Sequence, residues 1–193
     1  MIPAANRYTV VLDASVLFPN MKRDLLLRFF EADLFRARWS ETIQQEWLKN
    51  AKLKFPTKSQ NLDRVDQLMR EHFSSAWIEE VEFSKFVDLI KLPDLDDRHV
   101  VAAAISCKAS YVVTDNLKHF PPKELDRFEL EVGSADKFLA GTFDHYTHEA
   151  LHDLKRHRSE LRAQPTVSEY LMMLRAKELP LLASRLQPFK DLL

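Results

Sequence analysis

Glycine is scarce in this chain. Gly133 and Gly141 are the two among 193 residues, where average usage would place about 13. No G-x-G-x-x-G or G-x-x-x-x-G-K loop can be written with them, so the glycine-rich phosphate cradles are excluded. Cysteine is scarcer still: Cys107 stands alone, which excludes an internal disulfide and any multi-cysteine zinc site, and leaves oxygen ligands or histidines to hold a metal. Neither sign of charge dominates. With 28 basic and 29 acidic side chains the net charge is −1, so attraction to nucleic acid or membrane must come from local patches. No uncharged run is as long as a membrane span. The start MIPAANRYTVVLDAS has no basic segment leading into a long apolar stretch. A soluble cytoplasmic protein with no membrane partner is the expectation.

Two short segments, Tyr8-Thr9-Val10-Val11-Leu12 and Tyr111-Val112-Val113-Thr114, are β-branched and apolar at consecutive positions, the pattern of strands covered on both faces. Phe35 to Trp39 reads as a third short strand. Phe128, Leu130 and Val132 alternate with charges as an edge strand does. Between them run helical patterns: Leu26, Phe29 and Phe30, then Ile43, Trp47, Ala51 and Phe55 behind an N-cap at Ser40 and stopped by Pro56. Ser59 to His72 also reads as a helix, with Leu62, Val65, Leu68 and Met69 inward, and another runs from Val100 to Ser106. Strands alternating with helices predict a three-layer α/β/α domain on a central parallel sheet, here residues 1–141. From 142 to 193 the pattern is all helical, with a capping box at Thr166-Val167-Ser168-Glu169, and predicts a C-terminal helical extension.

The chemistry is carried by carboxylates. Asp13 and Asp115 directly follow the two buried strands, where side chains face the ligand crevice of a parallel sheet. An ionised carboxylate there is costly without hydrogen bonds or a cation, although an aspartate at a strand end also caps turns. In Leu92-Pro93-Asp94-Leu95-Asp96-Asp97-Arg98-His99 the helical angle turns Asp97 toward the buried face and leaves Asp96 and Asp94 as caps. Glu46 borders the apolar stripe of its helix. Acids brought close raise one another's pKa and need a counter-ion. Mg²⁺ or Mn²⁺ suits such oxygen ligands and activates water for attack on phosphorus. Spacing alone does not place these four acids together.

In order, VVLDASVLF, SETIQQEW, DLDDRHVVAAAI and YVVTDNLKHF resemble the PIN-domain nucleases, and within them the VapC-type toxins of toxin–antitoxin systems, in the larger subgroup with a C-terminal helical extension. The resemblance spans Tyr8 to Val132. It implies a metal-dependent endoribonuclease with Asp13, Glu46, Asp97 and Asp115 as the catalytic acids and Asp13, Asp97 and Asp115 on Mg²⁺ or Mn²⁺. Ser15, Thr114, Asn116 and Asp96 would support them. The family often writes the last motif T-x-D, which puts Asn116 where the acid belongs and Asp115 one residue early, so either fills the fourth position. The resemblance also implies an RNA substrate, a cognate antitoxin protein and a homodimer.

A phosphodiester needs positive charge beside these acids. Lys22, Arg23, Arg98, Lys118 and His119 stand at the right ends of their elements to supply it. Lys49, Lys52, Lys54 and Lys58 form a longer basic strip, and Lys155-Arg156-His157-Arg158 another; both also read as ordinary exposed helix faces. The three tryptophans and Cys107 read as packing residues. Two other readings stay open at this point: a housekeeping RNA-processing or structure-specific DNA nuclease of the same fold, and a non-catalytic binding module with a degenerate site. The RNA target is not selected by anything in the chain.

Overall fold

The apolar, β-branched run Thr9–Leu12 (β1) forms the middle of a five-stranded parallel sheet in this computed structural model, which describes residues 8–193; the leader reading of the first seven residues lies outside them. In chain order β1 is followed by the single turn α1 (Ala14–Leu17), α2 (Asn20–Glu31), β2 (Arg36–Ser40), α3 (Glu41–Lys54) and α4 (Ser59–His72). Then come β3 (Trp77–Ile78), the short α5 (Glu80–Phe83), α6 (Arg98–Ser106), β4 (Tyr111–Val113), α7 (Pro122–Leu125) and β5 (Glu131–Gly133). Four helices close the chain: α8 (Ala135–His145), α9 (Thr147–Glu160), α10 (Val167–Ala176) and α11 (Pro180–Leu186). With helices around the sheet, this is the three-layer α/β/α arrangement expected, carrying C-terminal helices.

The strand order is β3-β2-β1-β4-β5, all parallel. The chain builds outward from β1 to β3, then returns to the other side of β1 for β4 and β5. Leu12 pairs with Val113, and Val113 with Gly133. The reversal between β1 and β4 is the topological switch point, where open parallel sheets place their ligand crevice. One of the two glycines is explained here: a Cβ at Gly133 would lie 1.9 Å from the Tyr111 hydroxyl oxygen.

Scarce glycine leaves its mark on helix ends. At Asp33, Lys108 and Glu178 the backbone is left-handed, with φ of 66°, 53° and 61°. Each closes a helix in the Schellman pattern, as where the Leu179 N–H donates to the Leu174 carbonyl and Glu178 N–H to Arg175. Glycine is the usual residue there; another residue type costs about 1 kcal/mol more.

Ser40 caps α3 by accepting from the Ile43 N–H, and Phe55 ends it before Pro56. Two expectations need correction. On α4 only Met69 is buried; Leu62 and Val65 are half-buried and Leu68 is exposed, because α4 packs as the outer arm of a hairpin on α3. Phe128 lies in a 3₁₀ turn rather than in the edge strand, and the left-handed Glu129 separates it from β5. The change of pattern at 141 falls inside α8, which runs unbroken through Gly141.

The last helices are bonded into the rest. The buried Asp136 carboxylate accepts from the Leu181 and Leu182 N–H groups at the start of α11. His157, buried on α9, faces the Tyr170 hydroxyl at 2.7 Å and Asp24 of α2 at 3.2 Å.

Candidate active site

Just past the ends of β1 and β4 the expected acids separate into two groups. Asp13 is 2% exposed and follows β1 as the N-cap of α1, with Oδ1 accepting from the Ala14 N–H at 2.7 Å. Its Oδ2 accepts from the Ser15 hydroxyl at 2.6 Å and the Thr114 hydroxyl at 2.7 Å. Those hydroxyls in turn accept from the Asp115 and Asn116 N–H groups, each at 3.0 Å. The strand-end loops are thereby tied together through one carboxylate. Burial pushes the Asp13 carboxyl above its ordinary value, the two hydroxyls pull it down, and the Glu46 carboxylate pushes it up again. A charge so placed is strongly localised and poorly hydrated.

Asp97 occupies the N-cap position of α6 without capping the helix with its side chain. It is buried, as its helical angle predicted, and one carboxylate oxygen lies 2.6 Å from His119 Nδ1. Burial raises its pKa first, His119 lowers it, and Asp13 and Asp94 raise it. Asp94 reaches to 3.6 Å from the same His119 nitrogen and accepts from the Asp96 N–H. Asp94, Asp97 and His119 each offer a ligand atom within 4.8 Å of the others, so this cluster could hold a metal ion.

Asp115 is not brought into that cluster. Its Oδ2 lies 2.7 Å from Lys22 Nζ, and its Oδ1 accepts from the Ala135 N–H at the start of α8. Asn116 lines both halves of the crevice, with Glu46 and Asn50 of α3. The half beside Asp115 and Lys22 measures about 370 Å³, and the half beside Asp97 and His119 about 580 Å³. Glu46 is half-buried between them, 3.7 Å from His99 Nε2. The buried Nδ1 of that histidine has no hydrogen-bond partner among the described residues. Asp96 is exposed at the outer rim.

The expected cations have other engagements. Lys22, its side chain 3% exposed, bridges Asp115 and Glu178 Oε2, the latter at 2.6 Å. Burial alone would lower its pKa; the two carboxylates outweigh burial and raise it, so Lys22 stays charged. Arg23 is buried, donates to the Leu17 carbonyl at 2.6 Å and lies 4.6 Å from the Trp47 ring centroid. Burial lowers its pKa to about 10. Arg98 folds back on the Leu95 carbonyl and toward Asp88. His119 serves Asp97. Lys118 is exposed. Two residues at the site carried no expectation from the sequence: Asn50, one turn beyond Glu46 on the same face, and Glu178. The first could have been found from its helical spacing; the second lies 156 positions from its partner, beyond any local signal.

Residues 135–188 match the family model described as the VapC50 C-terminal domain, and the match begins at the first residue of α8. A Mycobacterium tuberculosis (strain ATCC 25618 / H37Rv) protein described as "Putative ribonuclease VapC50" is 44% identical over 50 residues, which is 26% of this chain and 30% of that relative. The chain thus aligns with under a third of the relative's length. No solved structure gives a significant match. A parallel α/β/α sheet with its acids at the switch point, followed by helices that match the VapC50 C-terminal domain, makes this chain similar to VapC-type PIN proteins with a C-terminal extension.

Proposed function

We propose that this protein is an Mg²⁺- or Mn²⁺-dependent endoribonuclease and the toxin of a cytoplasmic toxin–antitoxin pair. The observation that carries the reading is the cluster of Asp94, Asp97 and His119, whose ligand atoms lie within 4.8 Å of one another, together with the buried carboxylate of Asp13, which helps to raise the Asp97 pKa. Facing anions in a poorly hydrated crevice fit a hard divalent cation. Asp13 and Asp97 would hold it, with Asp94 and His119 adjoining and Asn116 offering an amide oxygen at the divide. Bound there, the ion supplies positive charge that acidifies a water and offsets charge building on the phosphate oxygens.

The chain's own groups do the rest. Ser15 and Thr114 fix the direction of the Asp13 carboxylate, and His119 fixes that of Asp97. Glu46, at the mouth, is placed to accept a proton from the attacking water. Lys22, kept charged by Asp115 and Glu178, holds those two carboxylates together beside the crevice. RNA as substrate, a cognate antitoxin protein that blocks the crevice and a homodimer belong to the same proposal; the sequence resemblance supports all three, and the relative described as "Putative ribonuclease VapC50" supports the first. We assign the PIN-like domain to the residues before α8 and the extension to those from Ala135 on.

Purified protein incubated with total RNA and Mg²⁺ tests the reading, with mapped 5′ ends and parallel reactions in EDTA and with Asp13→Asn. Discrete cuts that need both the ion and Asp13 support it. Cleavage that survives both changes, or no cleavage with either ion, overturns it.

A further inference from the structure

The acidic crevice needs positive charge for its substrate, and Lys22, Arg23, Arg98 and His119 are already committed to other groups. Uncommitted cations stand next door. A groove of about 730 Å³ runs from the crevice between the start of α2, the end of α3, α4 and the turn joining α10 to α11. It shares Phe18, Pro19 and Glu178 with the crevice half that holds Asp115, so a strand leaving the acids on that side would enter it.

Three lysines line the groove: Lys54 and Lys58 from either side of Phe55, and Lys177 from the extension. All three are exposed, and none lies within ion-pair distance of a carboxylate among the described residues. Glu178 is the one acid lining it besides, and its charge is turned to Lys22. Two aromatic rings accompany them. Phe18 and Phe55 stack at 6.4 Å between centroids with 21° between planes, and Phe55 remains 41% exposed. Lys54 Nζ lies 5.3 Å from the Phe18 centroid, and Lys58 Nζ 5.5 Å from that of Phe55. An exposed ring flanked by unpaired cations is how single-stranded nucleic acid is held without reading its sequence: a base stacks on the ring and the phosphates meet the ammonium groups. A duplex offers no unstacked base to such a ring.

We propose that this groove is the subsite for the single strand of RNA that flanks the scissile bond, with Phe55 stacking a base and Lys54, Lys58 and Lys177 on its phosphates. The proposal rests on the ribonuclease reading above and adds a task for the extension: Lys177 closes the groove from its far side.

Fluorescence anisotropy with a labelled single-stranded RNA of about 12 nucleotides, on the Asp13→Asn protein across a range of salt, tests it. Replacing Lys54, Lys58 and Lys177 together by alanine should weaken binding by about tenfold or more and reduce the slope of log affinity against log salt by about 2. Removing three distant lysines, Lys108, Lys123 and Lys190, should leave that slope nearly unchanged. Phe55→Leu, which keeps apolar packing against Phe18 but removes the flat face, should weaken binding about tenfold. In the otherwise native protein both changes should raise KM more than they lower kcat. Melting curves confirm that each variant is folded. If the native protein cleaves RNA and the lysine variant keeps its affinity and salt slope, the groove proposal fails while the ribonuclease reading stands. If those variants instead lose only the binding of an acidic protein segment, the groove is a protein-docking surface and the proposal is overturned. If the native protein neither binds nor cleaves RNA, both readings fall.

Discussion

The two halves of the crevice are built differently. On the strand-end side, Asp13 is buried and held by one backbone N–H and two hydroxyls, and its loop is tied directly to the central strands. On the outer side, Asp97 is held by a single histidine from a loop, with a half-exposed Asp94 beside it. One carboxylate is oriented by the sheet itself. The other depends on one removable contact. A site built this way has a rigid anchor and an adjustable partner, and the anchor should tolerate less change.

Asp13→Asn should have the largest effect. Loss of the anchor charge should reduce RNA cleavage by about a thousandfold, ~4 kcal/mol of transition-state stabilisation, with the fold intact by circular dichroism. An Asp13→Asn protein that still cleaves within tenfold of the parent would erase the distinction between the halves.

Next comes a matched pair. Thr114→Val removes the hydroxyl that donates to Asp13 and accepts from Asn116, so it should lower folding stability by about 1–3 kcal/mol and reduce cleavage. His119→Ala breaks the outer half and should reduce cleavage about tenfold with little loss of stability, since the ring is partly exposed and bonded to one carboxylate. Chemical denaturation beside initial rates measures both. Equal stability losses would mean the outer half is as rigid as the inner one.

A smaller effect concerns pH. Burial places the Asp13 and Asp97 carboxyls above their ordinary values, so the folded chain takes up these protons more readily than the unfolded chain. Their contribution therefore favours folding more at low pH and is lost as pH rises through the raised folded values. Without metal, the melting temperature should rise as pH falls through the raised values, which thermal melts at a series of pH values measure. Asp24 and Glu41, whose values are lowered, oppose this on further acidification. Saturating Mg²⁺ should raise the pH 7 melting temperature and flatten the dependence, because the ion takes the place of the protons.

Smallest is Glu178→Gly. Glycine relieves the left-handed backbone by about 1 kcal/mol, while the lost exposed ion pair costs about 0–1 kcal/mol. The melting temperature should stay nearly constant, and a drop of more than about 4 °C would show that the Lys22 bridge carries much more of the fold than its exposure suggests.

Much of the fold was legible because its signals are local. Consecutive β-branched residues mark β1 and β4, Ser40 and Thr166 mark helix starts, and proline marks helix ends. Part of the site was legible on the same grounds: the helical angle turned Asp97 inward, and Asp13 followed a buried strand. Errors arose where tertiary contact overrides pattern. Leu68 has the spacing of a core residue, yet α4 has little behind it to bury that position. Arg23 stands at the correct end of α2 for a phosphate, but it is drawn inward over Trp47.

By itself the sequence determined the kind of site: too little glycine for a backbone phosphate cradle, too little cysteine for a zinc cluster, and acids at the ends of buried strands, since composition and short-range periodicity are set within a few residues. Only the tertiary structure decided how those acids are shared. The reversal of strand order between β1 and β4 brings Thr114 to Asp13 and Asp115 to Lys22, and the packing of the C-terminal helices carries Glu178 across 156 positions to the same lysine. Such pairings depend on how helices and strands pack over long separations, and no local pattern in the chain encodes them.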